Sequence, residues 1–488
     1  MTLTTALDVA RSGLSVLSGQ TSILSRNIVS AGEALATRKI GNVVTVPGGG
    51  VRLVSTSRAS DAALLAHLLG ANATMAEQRT IVEALNKLDG TVLDPELDFS
   101  PAALIGKLND AIQLYASAPH NAVAAQSAIA AAWDLANALN SATELVQELR
   151  QEADREIASS VERLNTLLAQ FEEVNTAIIN GNRTGADITD HLDNRDRLLV
   201  AISEEIGIRT ITRTDGDMVI FTESGVTLFE TRAREIKFEP TLAYSANVVG
   251  EAIYVDGVQI TGVDAGMAVG SGRLAGLVTV RDEIATTYQA QLDEVARALI
   301  EIFAESDQSP VPTLPDVPGL FTFPDGIVPP AGTWVPGLAG MISVNAAVDP
   351  ARGGDASKLR DGGIGGAAYV RNTSGAEGYS EWLQQLLDRI GEARPFDSAS
   401  GLASSTALPD FAAGSVAWLQ EARMTAAAER EYRATLYERS SEALSNATGV
   451  NLDHEMALLL DLERSYQATA RLISTIDEML KALIAAAG

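Results

Sequence analysis

The feature that most constrains this chain is an apolar stripe at each end that repeats every three or four residues. This spacing places the side chains along one side of a helix, as a seam for another helix. The first seam contains Leu7, Leu14, Leu17, Leu24 and Ile28, with Ala10 and Thr21 in register. The second contains Leu459, Leu462, Tyr466, Ile473, Ile476, Leu480 and Leu483. We therefore expect the two ends to pair as a coiled coil, with these residues as the candidate interface.

A third seam lies inside the chain, in residues 150–205. It keeps the same spacing and has one polar member, Asn175, in register. Two interpretations of Asn175 remain open. A buried Asn can fix the register of a helical seam at some cost in stability, and an Asn at the solvent edge of the seam would have no such role. The apolar members of this seam are Ile157, Val161, Leu164, Leu168, Phe171 and Ile178.

Two stretches favour β structure. Residues 42–58 contain two β-favouring runs around Pro47 and three glycines, which indicates a hairpin. From Ile206 the apolar period changes to two, and the pair Asp215 and Gly216 predicts a tight turn between antiparallel strands. We predict a small β-rich domain over residues 206–272.

Proline and glycine dominate residues 307–380. Half of the 16 prolines lie between Pro310 and Pro336, a density that excludes both a helix and a central strand. A loop of this length without secondary structure of its own is expected to lie on a scaffold.

The predicted fold is mainly α with a β-rich insertion, in an elongated chain of several domains. The terminal helices form a coiled coil, a helical bundle forms the middle, and a small antiparallel β domain lies outside. The predicted divisions are residues 1–35 and 450–488 for the coiled coil, 36–205, 273–306 and 381–449 for the helical middle domain, 206–272 for the outer domain, and 307–380 for the irregular segment on the middle domain.

Charge and composition limit the partners. The 63 acidic residues outnumber the 36 basic residues, and the net charge of −27 repels phosphate backbones and anionic lipid head groups. We therefore expect neither nucleic acid nor a membrane as a partner. No cysteine is present, which excludes disulfides and thiol chemistry. Asp8 and Arg11 interrupt the N-terminal region where a cleaved signal peptide needs an apolar core.

Motifs for chemistry are weak throughout. His454 and Glu455 begin like the zinc-protease motif HExxH, but Leu458 occupies the place of the second histidine. His191 and Asp193 are isolated from any third catalytic partner. The sequence has no GxSxG elbow and no GxxxxGK[ST] loop. We expect no catalytic, cofactor-binding or metal-binding residues, and no enzyme.

Several segments resemble the hook-associated protein 1 family of bacterial flagellar axial proteins. At the C-terminus the resemblance lies in an acid near the start of the helix, in Tyr-Gln-Ala from Tyr466 and in the run ending near Leu480. At the N-terminus it lies in Gly13, Gln20 and Asn27. Residues 57–69, 191–199 and 271–296 resemble the central region of the family. Ser30, Ala31, Ala34 and Leu35 depart from the usual Asn-Ala and Gly-Tyr, whereas Arg38 keeps the basic residue.

The resemblance implies a structural subunit that joins hook to filament through its terminal helices. Implied partners are further copies of the chain in a ring or helix, hook protein, the second hook–filament junction protein and an export chaperone on the C-terminal helix. Export through the flagellar type III apparatus, to the cell exterior, is also implied. The alternatives are another axial protein (hook protein, second junction protein or short flagellin), a cell-wall hydrolase at the flagellum, and a cytoplasmic coiled-coil scaffold.

Overall fold

The computed structural model of the chain describes residues 3–47, 49–92 and 100–487. Helices dominate this part of the chain, and the sheets are small and antiparallel. The prediction of a mainly helical chain with small antiparallel sheets is therefore confirmed. The helices are α1 (Leu3–Ser30), α2 (Ala62–Val92), α3 (Pro101–Ser117), α4 (Ala122–Thr184), α5 (Thr189–Glu205), α6 (Arg273–Thr279), a π-helical turn (Val280–Ile284), α7 (Ala285–Ile302), α8 (Lys358–Asp361), α9 (Glu381–Gly391), α10 (Leu408–Thr448) and α11 (Leu452–Ala487).

The strands pair only with near neighbours in sequence. Two three-stranded sheets follow the orders β3-β4-β5 and β6-β7-β8, and the two-stranded sheets are β1-β2, β9-β10 and β11-β12. The strands are β1 (Lys39–Thr45), β2 (Val51–Arg58), β3 (Ile208–Thr212), β4 (Met218–Thr222), β5 (Thr227–Phe229), β6 (Ile236–Lys237), β7 (Tyr254–Val255), β8 (Val258–Gln259), β9 (Phe321–Thr322), β10 (Ser343–Val344), β11 (Arg394–Pro395) and β12 (Ser405–Thr406).

Helix α4 is the central element of the core. Its 63 residues give a length of about 95 Å, and it packs against α3, α5, α6 and α7. The seam predicted in residues 150–205 has all its named members on α4, and a break after Thr184 separates α4 from α5. The break occurs because Gly185 caps α4 in the left-handed conformation, with a φ of 71°. A side chain would be strained there.

Asn175 is buried and links three elements. Its side-chain amide donates to Asp217 at 2.7 Å, and its carbonyl oxygen accepts from Arg195 at 3.3 Å and from the backbone N–H of Met218 at 3.2 Å. Of the two interpretations, the buried one is confirmed. Its partners lie on α5 and on the β3–β4 turn, so Asn175 positions these elements on α4.

The β segment shares a core with α4. The rings of Phe171 on α4 and Phe229 on β5 pack edge to face, with centroids 5.0 Å apart, and both are buried. Ile220 and Leu228 join the same apolar cluster.

The proline- and glycine-rich segment is attached to α7 by a buried carboxylate. Asp293 accepts hydrogen bonds from the indole N–H of Trp334 (3.1 Å) and the backbone N–H groups of Gly337 (2.8 Å) and Ala339 (2.9 Å). Burial raises the pKa of Asp293 to about 6 even though these donors favour its charged form. The segment also contributes apolar side chains to the core; the ring of Phe321, for example, packs edge to face on Phe303 with centroids 5.3 Å apart.

The shared core predicts the effect of Phe229→Ala. The substitution should lower the free energy of unfolding by about 3–5 kcal/mol, because it removes a buried ring and leaves a cavity against α4. Urea unfolding followed by helical circular dichroism should show one transition at a lower midpoint.

The matched control is Ile211→Ala on β3, where the side chain is 58% exposed and the expected change is within about 0.5 kcal/mol. If the β segment unfolded at a lower urea concentration while the helical circular dichroism signal stayed unchanged, the β segment would unfold separately from the helices.

Candidate assembly site

The terminal helices lie side by side in the chain. Helix α1 packs against α11, with Asn27 next to Glu455 and Gly13 next to Thr469. Since 27 pairs with 455 and 13 with 469, the two helices run antiparallel. Both seams therefore belong to one helix pair.

The seam residues are covered to very different extents. Leu24 and Ile476 are buried, and Leu7, Leu14, Leu17, Ile28, Leu459, Leu462, Ile473 and Leu480 are half-buried. Tyr466 is 48% exposed and Leu483 is 58% exposed. One helix partner thus covers only part of the apolar surface of the pair.

Helix α11 exposes further apolar side chains outside the seam. Leu472 and Met479, which are seven residues apart, lie on one flank of the buried strip, and Leu452 and Met456 lie on the other. Each of these four side chains is about half exposed. The apolar face of α11 is wider than the surface that α1 covers, so the helix retains a free apolar surface in the single chain.

A buried carboxylate joins the two helices at the end nearest the core. Glu455 on α11 is fully buried and accepts hydrogen bonds from the Arg38 guanidinium (2.6 Å) and the Asn27 amide (2.9 Å). Asn27 also exchanges two hydrogen bonds of 2.9 Å with the backbone of Lys39. We call this cluster, together with the Asp193 cluster described next, the polar junction.

Asp193 on α5 forms the second half of the polar junction. It accepts from the Thr37 hydroxyl (2.6 Å), Lys39 Nζ (3.2 Å) and the Arg58 guanidinium (2.9 Å). Arg58 also pairs with Asp196 at 2.6 Å. Burial by itself would lower the pKa of Arg58, but the carboxylates of Asp196 and Asp193 outweigh burial and raise it. The base of the terminal region is therefore connected to α5 by buried ion pairs.

A cavity of about 880 Å³ opens beside the polar junction. Its wall includes Leu35, Leu65, Met218, Leu444 and the guanidinium of Arg195. Burial lowers the pKa of Arg195 to about 10, and the side chain donates to the Gly216 carbonyl at 2.7 Å. The cavity lies between the base of the terminal helices and the core, so packing there is loose compared with the core around α4.

The sequence pattern missed the polar junction. Glu455 stands at a seam position, four residues before Leu459 and seven before Leu462. An acidic residue where the spacing calls for an apolar one was the feature of the sequence that could have indicated a buried polar contact. Asp193 carried no such signal, because its partners lie 135 to 156 residues away.

Across residues 3–47, 49–92 and 100–487, no three potential metal-ligating side chains come together. None of the helices in these ranges has the length and apolar content that crossing a bilayer needs.

Two family models match parts of the chain. Residues 85–311 match the family model described as the flagellar hook-associated protein FlgK helical domain. Residues 441–486 match the model described as the flagellar basal body rod FlgEFG protein C-terminal. The first match contains α3 to α7 in full; the second contains most of α11.

Individual relatives agree with the family models. The chain is 24% identical over 316 residues to flagellar hook-associated protein 1 of Salmonella typhimurium, an alignment that covers 62% of this chain and 56% of the relative. The protein of the same name in Escherichia coli K12 is 23% identical over 316 residues, with the same coverage. The chain thus matches about half the length of these curated relatives. The resemblance to hook-associated protein 1 is confirmed.

A solved structure, the flagellar hook junction protein FlgK from Burkholderia pseudomallei, is 21% identical to the chain. The superposition covers 53% of this chain and 46% of that protein, with a TM-score of 0.43.

The polar junction predicts the effect of Glu455→Ala. The substitution leaves Asn27 and Arg38 without their acceptor, and we expect the packing of α11 on α1 to weaken by about 2–4 kcal/mol. Hydrogen exchange in residues 455–480 should accelerate, while exchange in α4 should not change.

Glu463→Ala is the control, because Glu463 is exposed on the same helix and bonds only to Gln467. Equal exchange rates for α11 in the two variants would contradict the proposed role of Glu455.

Proposed function

We propose that this chain, which resembles flagellar hook-associated protein 1, is a structural subunit of the bacterial flagellum that joins the hook to the filament. The observation that carries the proposal is the pair of family matches, one to the helical domain of the hook-associated protein and one to the C-terminal segment of rod proteins. The second match covers most of α11, the helix that keeps an exposed apolar surface.

The proposed mechanism is helix packing between subunits. Burying a large apolar side chain contributes about 1.5–3 kcal/mol, and α11 exposes several of them, including Tyr466, Leu472 and Leu483. The two seams form the proposed assembly interface. In this proposal a neighbouring subunit covers the part of the interface that α1 leaves open.

The division into domains is part of the same proposal. Residues 1–35 and 450–488 would form the coiled-coil domain of the axis, residues 36–205, 273–306 and 381–449 the helical middle domain, and residues 206–272 the outer domain. The cavity beside the polar junction supports a boundary between the first two, since a domain boundary has fewer packed contacts than a core.

The proposed partners follow from the family. They are other copies of this chain in a ring or helix, hook protein, the second hook–filament junction protein, and an export chaperone bound to α11. The chain would act outside the cell after type III export. We assign it no enzymatic activity, and the family matches favour the junction role over the other axial proteins.

Tyr466→Asp tests the proposed interface. Tyr466 is half exposed in the single chain, so a charge there should change the free energy of unfolding by less than about 1 kcal/mol. Burying the same carboxylate between subunits would cost several kcal/mol. We expect wild-type thermal melting, hooks without filaments in electron micrographs, and loss of motility.

Gln467→Asp is the matched control, because it adds the same charge one position along, outside the seam and exposed. Wild-type filaments with Tyr466→Asp would contradict the proposed interface. Ile476→Asp is a less selective test, because Ile476 is only 6% exposed in the single chain and a charge there would also disturb the packing of α11 on α1.

A further inference from the structure

The β1–β2 hairpin has one covered and one open face. Gly41 and Leu53 face α1, since a Cβ on Gly41 would lie 2.9 Å from the side chain of Ile23, and one on Gly19 would lie 2.9 Å from Leu53. Side chains alternate along a strand, with one register shift here at Asn42/Val43. The opposite face carries Ile40, Val44, Arg52 and Val54, together with the polar residues Asn42, Ser55 and Ser57, where the Asn42 amide donates to both serine hydroxyls. The three apolar members are between 40% and 50% exposed. A two-stranded sheet with one open apolar face is incomplete by itself.

A second open surface of similar length lies on α11. Leu452, Met456, Glu463 and Tyr466 follow one another at intervals of four, seven and three residues, which places them on one side of the helix. All four are exposed. We call this set the α11 stripe. It spans about 21 Å along the helix, and the seven residues of β1 span about 23 Å.

The two surfaces have opposite charge. Arg52 is the basic side chain on the open face of the hairpin, because Arg38, Lys39 and Arg58 are already paired with carboxylates in the polar junction. Glu463 is the charged residue of the α11 stripe, and the neighbouring Glu455 is buried in the polar junction. Arg52, on the open face, forms no ion pair with any residue that the structure describes. Glu463, on the α11 stripe, is exposed; one of its carboxylate oxygens accepts from Gln467 at 3.2 Å, and the other can accept from Arg52.

In a single copy, α1 packs against both the hairpin and α11, and both open surfaces remain exposed. We infer that the open face of the β1–β2 hairpin docks on the α11 stripe of a second copy, with Arg52 facing Glu463. The occupant is a second copy because the same chain supplies both complementary surfaces. Since the two surfaces differ, the contact is head to tail, and each copy still offers one free surface to the next.

A head-to-tail contact builds either a closed ring or an open helix, depending on the rotation between neighbours. Both arrangements are compatible with the proposed function. The inference rests on that function only for the place where the copies meet, which is the flagellum. The contact extends the proposed interface beyond the two seams: the neighbour would bring a sheet to α11, where α1 brings a helix.

Cysteine crosslinking tests the contact, because the natural chain has no cysteine. Two full-length variants, Val44→Cys and Tyr466→Cys, are mixed at high protein concentration and oxidised. We expect the mixture to give a mixed disulfide dimer that neither variant gives alone. Arg52→Glu in the first variant should reduce the yield at least about tenfold, and Glu463→Arg in the second should restore it. Ile327→Cys, exposed on the distant proline-rich segment, replaces Val44→Cys as the control and should give no dimer with Tyr466→Cys.

Two outcomes would overturn the inference: no mixed disulfide in concentrated solution, or a yield equal to that of the Ile327→Cys control. Disulfides that join only Val44→Cys to itself would indicate a symmetric contact and would also overturn it. The proposed function is judged separately, by whether the chain is present in isolated hook–filament complexes. If mixed dimers form but the chain is absent from flagella, the proposed function is rejected and the docking stands. If the chain is present in flagella but no mixed dimers form, the docking is rejected and the proposed function stands.

Discussion

Burial of α4 along nearly its whole length is the constraint on which the rest of the structure depends. Its apolar side chains are covered by α3, α5, α6, α7 and the β segment, so none of these elements has a separate core. Buried polar residues on the same helix determine where its neighbours lie. Asp154 accepts from Arg281 at 2.8 Å and from the Tyr244 hydroxyl at 2.7 Å, and Asn175 holds the β3–β4 turn. Removing such a partner leaves a buried polar group unpaired, which is costly.

The terminal helices are covered much less completely than α4. Their apolar stripes are long, but the single chain covers them incompletely, and α11 keeps Leu472 and Met479 about half exposed. A row of exposed apolar side chains along one helix is typical of an interaction surface. The contrast with α4 places this exposed apolar surface on the terminal helices, which is where the proposed contact with other subunits lies.

The polar junction connects these two regions. It brings together Asn27 and Arg38 from the N-terminal part, Asp193 from α5, and Glu455 from the C-terminal helix. The same segments carry the resemblance to the flagellar axial proteins, so residues on which the resemblance rests meet in space. Buried ion pairs add little net stability, but they penalise alternative arrangements. The polar junction therefore determines the orientation of the helix pair on the rest of the chain more than it adds to the stability of that contact.

The sequence by itself determined the elements whose signal is local. The three-and-four spacing predicted helices at both ends, the period of two predicted β3 and β4, and the prolines predicted the irregular segment, because each pattern reflects contacts within a few residues. Tertiary structure decided what depends on distant partners. Whether Asn175 is buried depended on Arg195 and Asp217. The role of Glu455 depended on Arg38, which lies 417 residues away. Periodicity shows which side of a helix is apolar, but only the packed chain shows how much of that side remains uncovered.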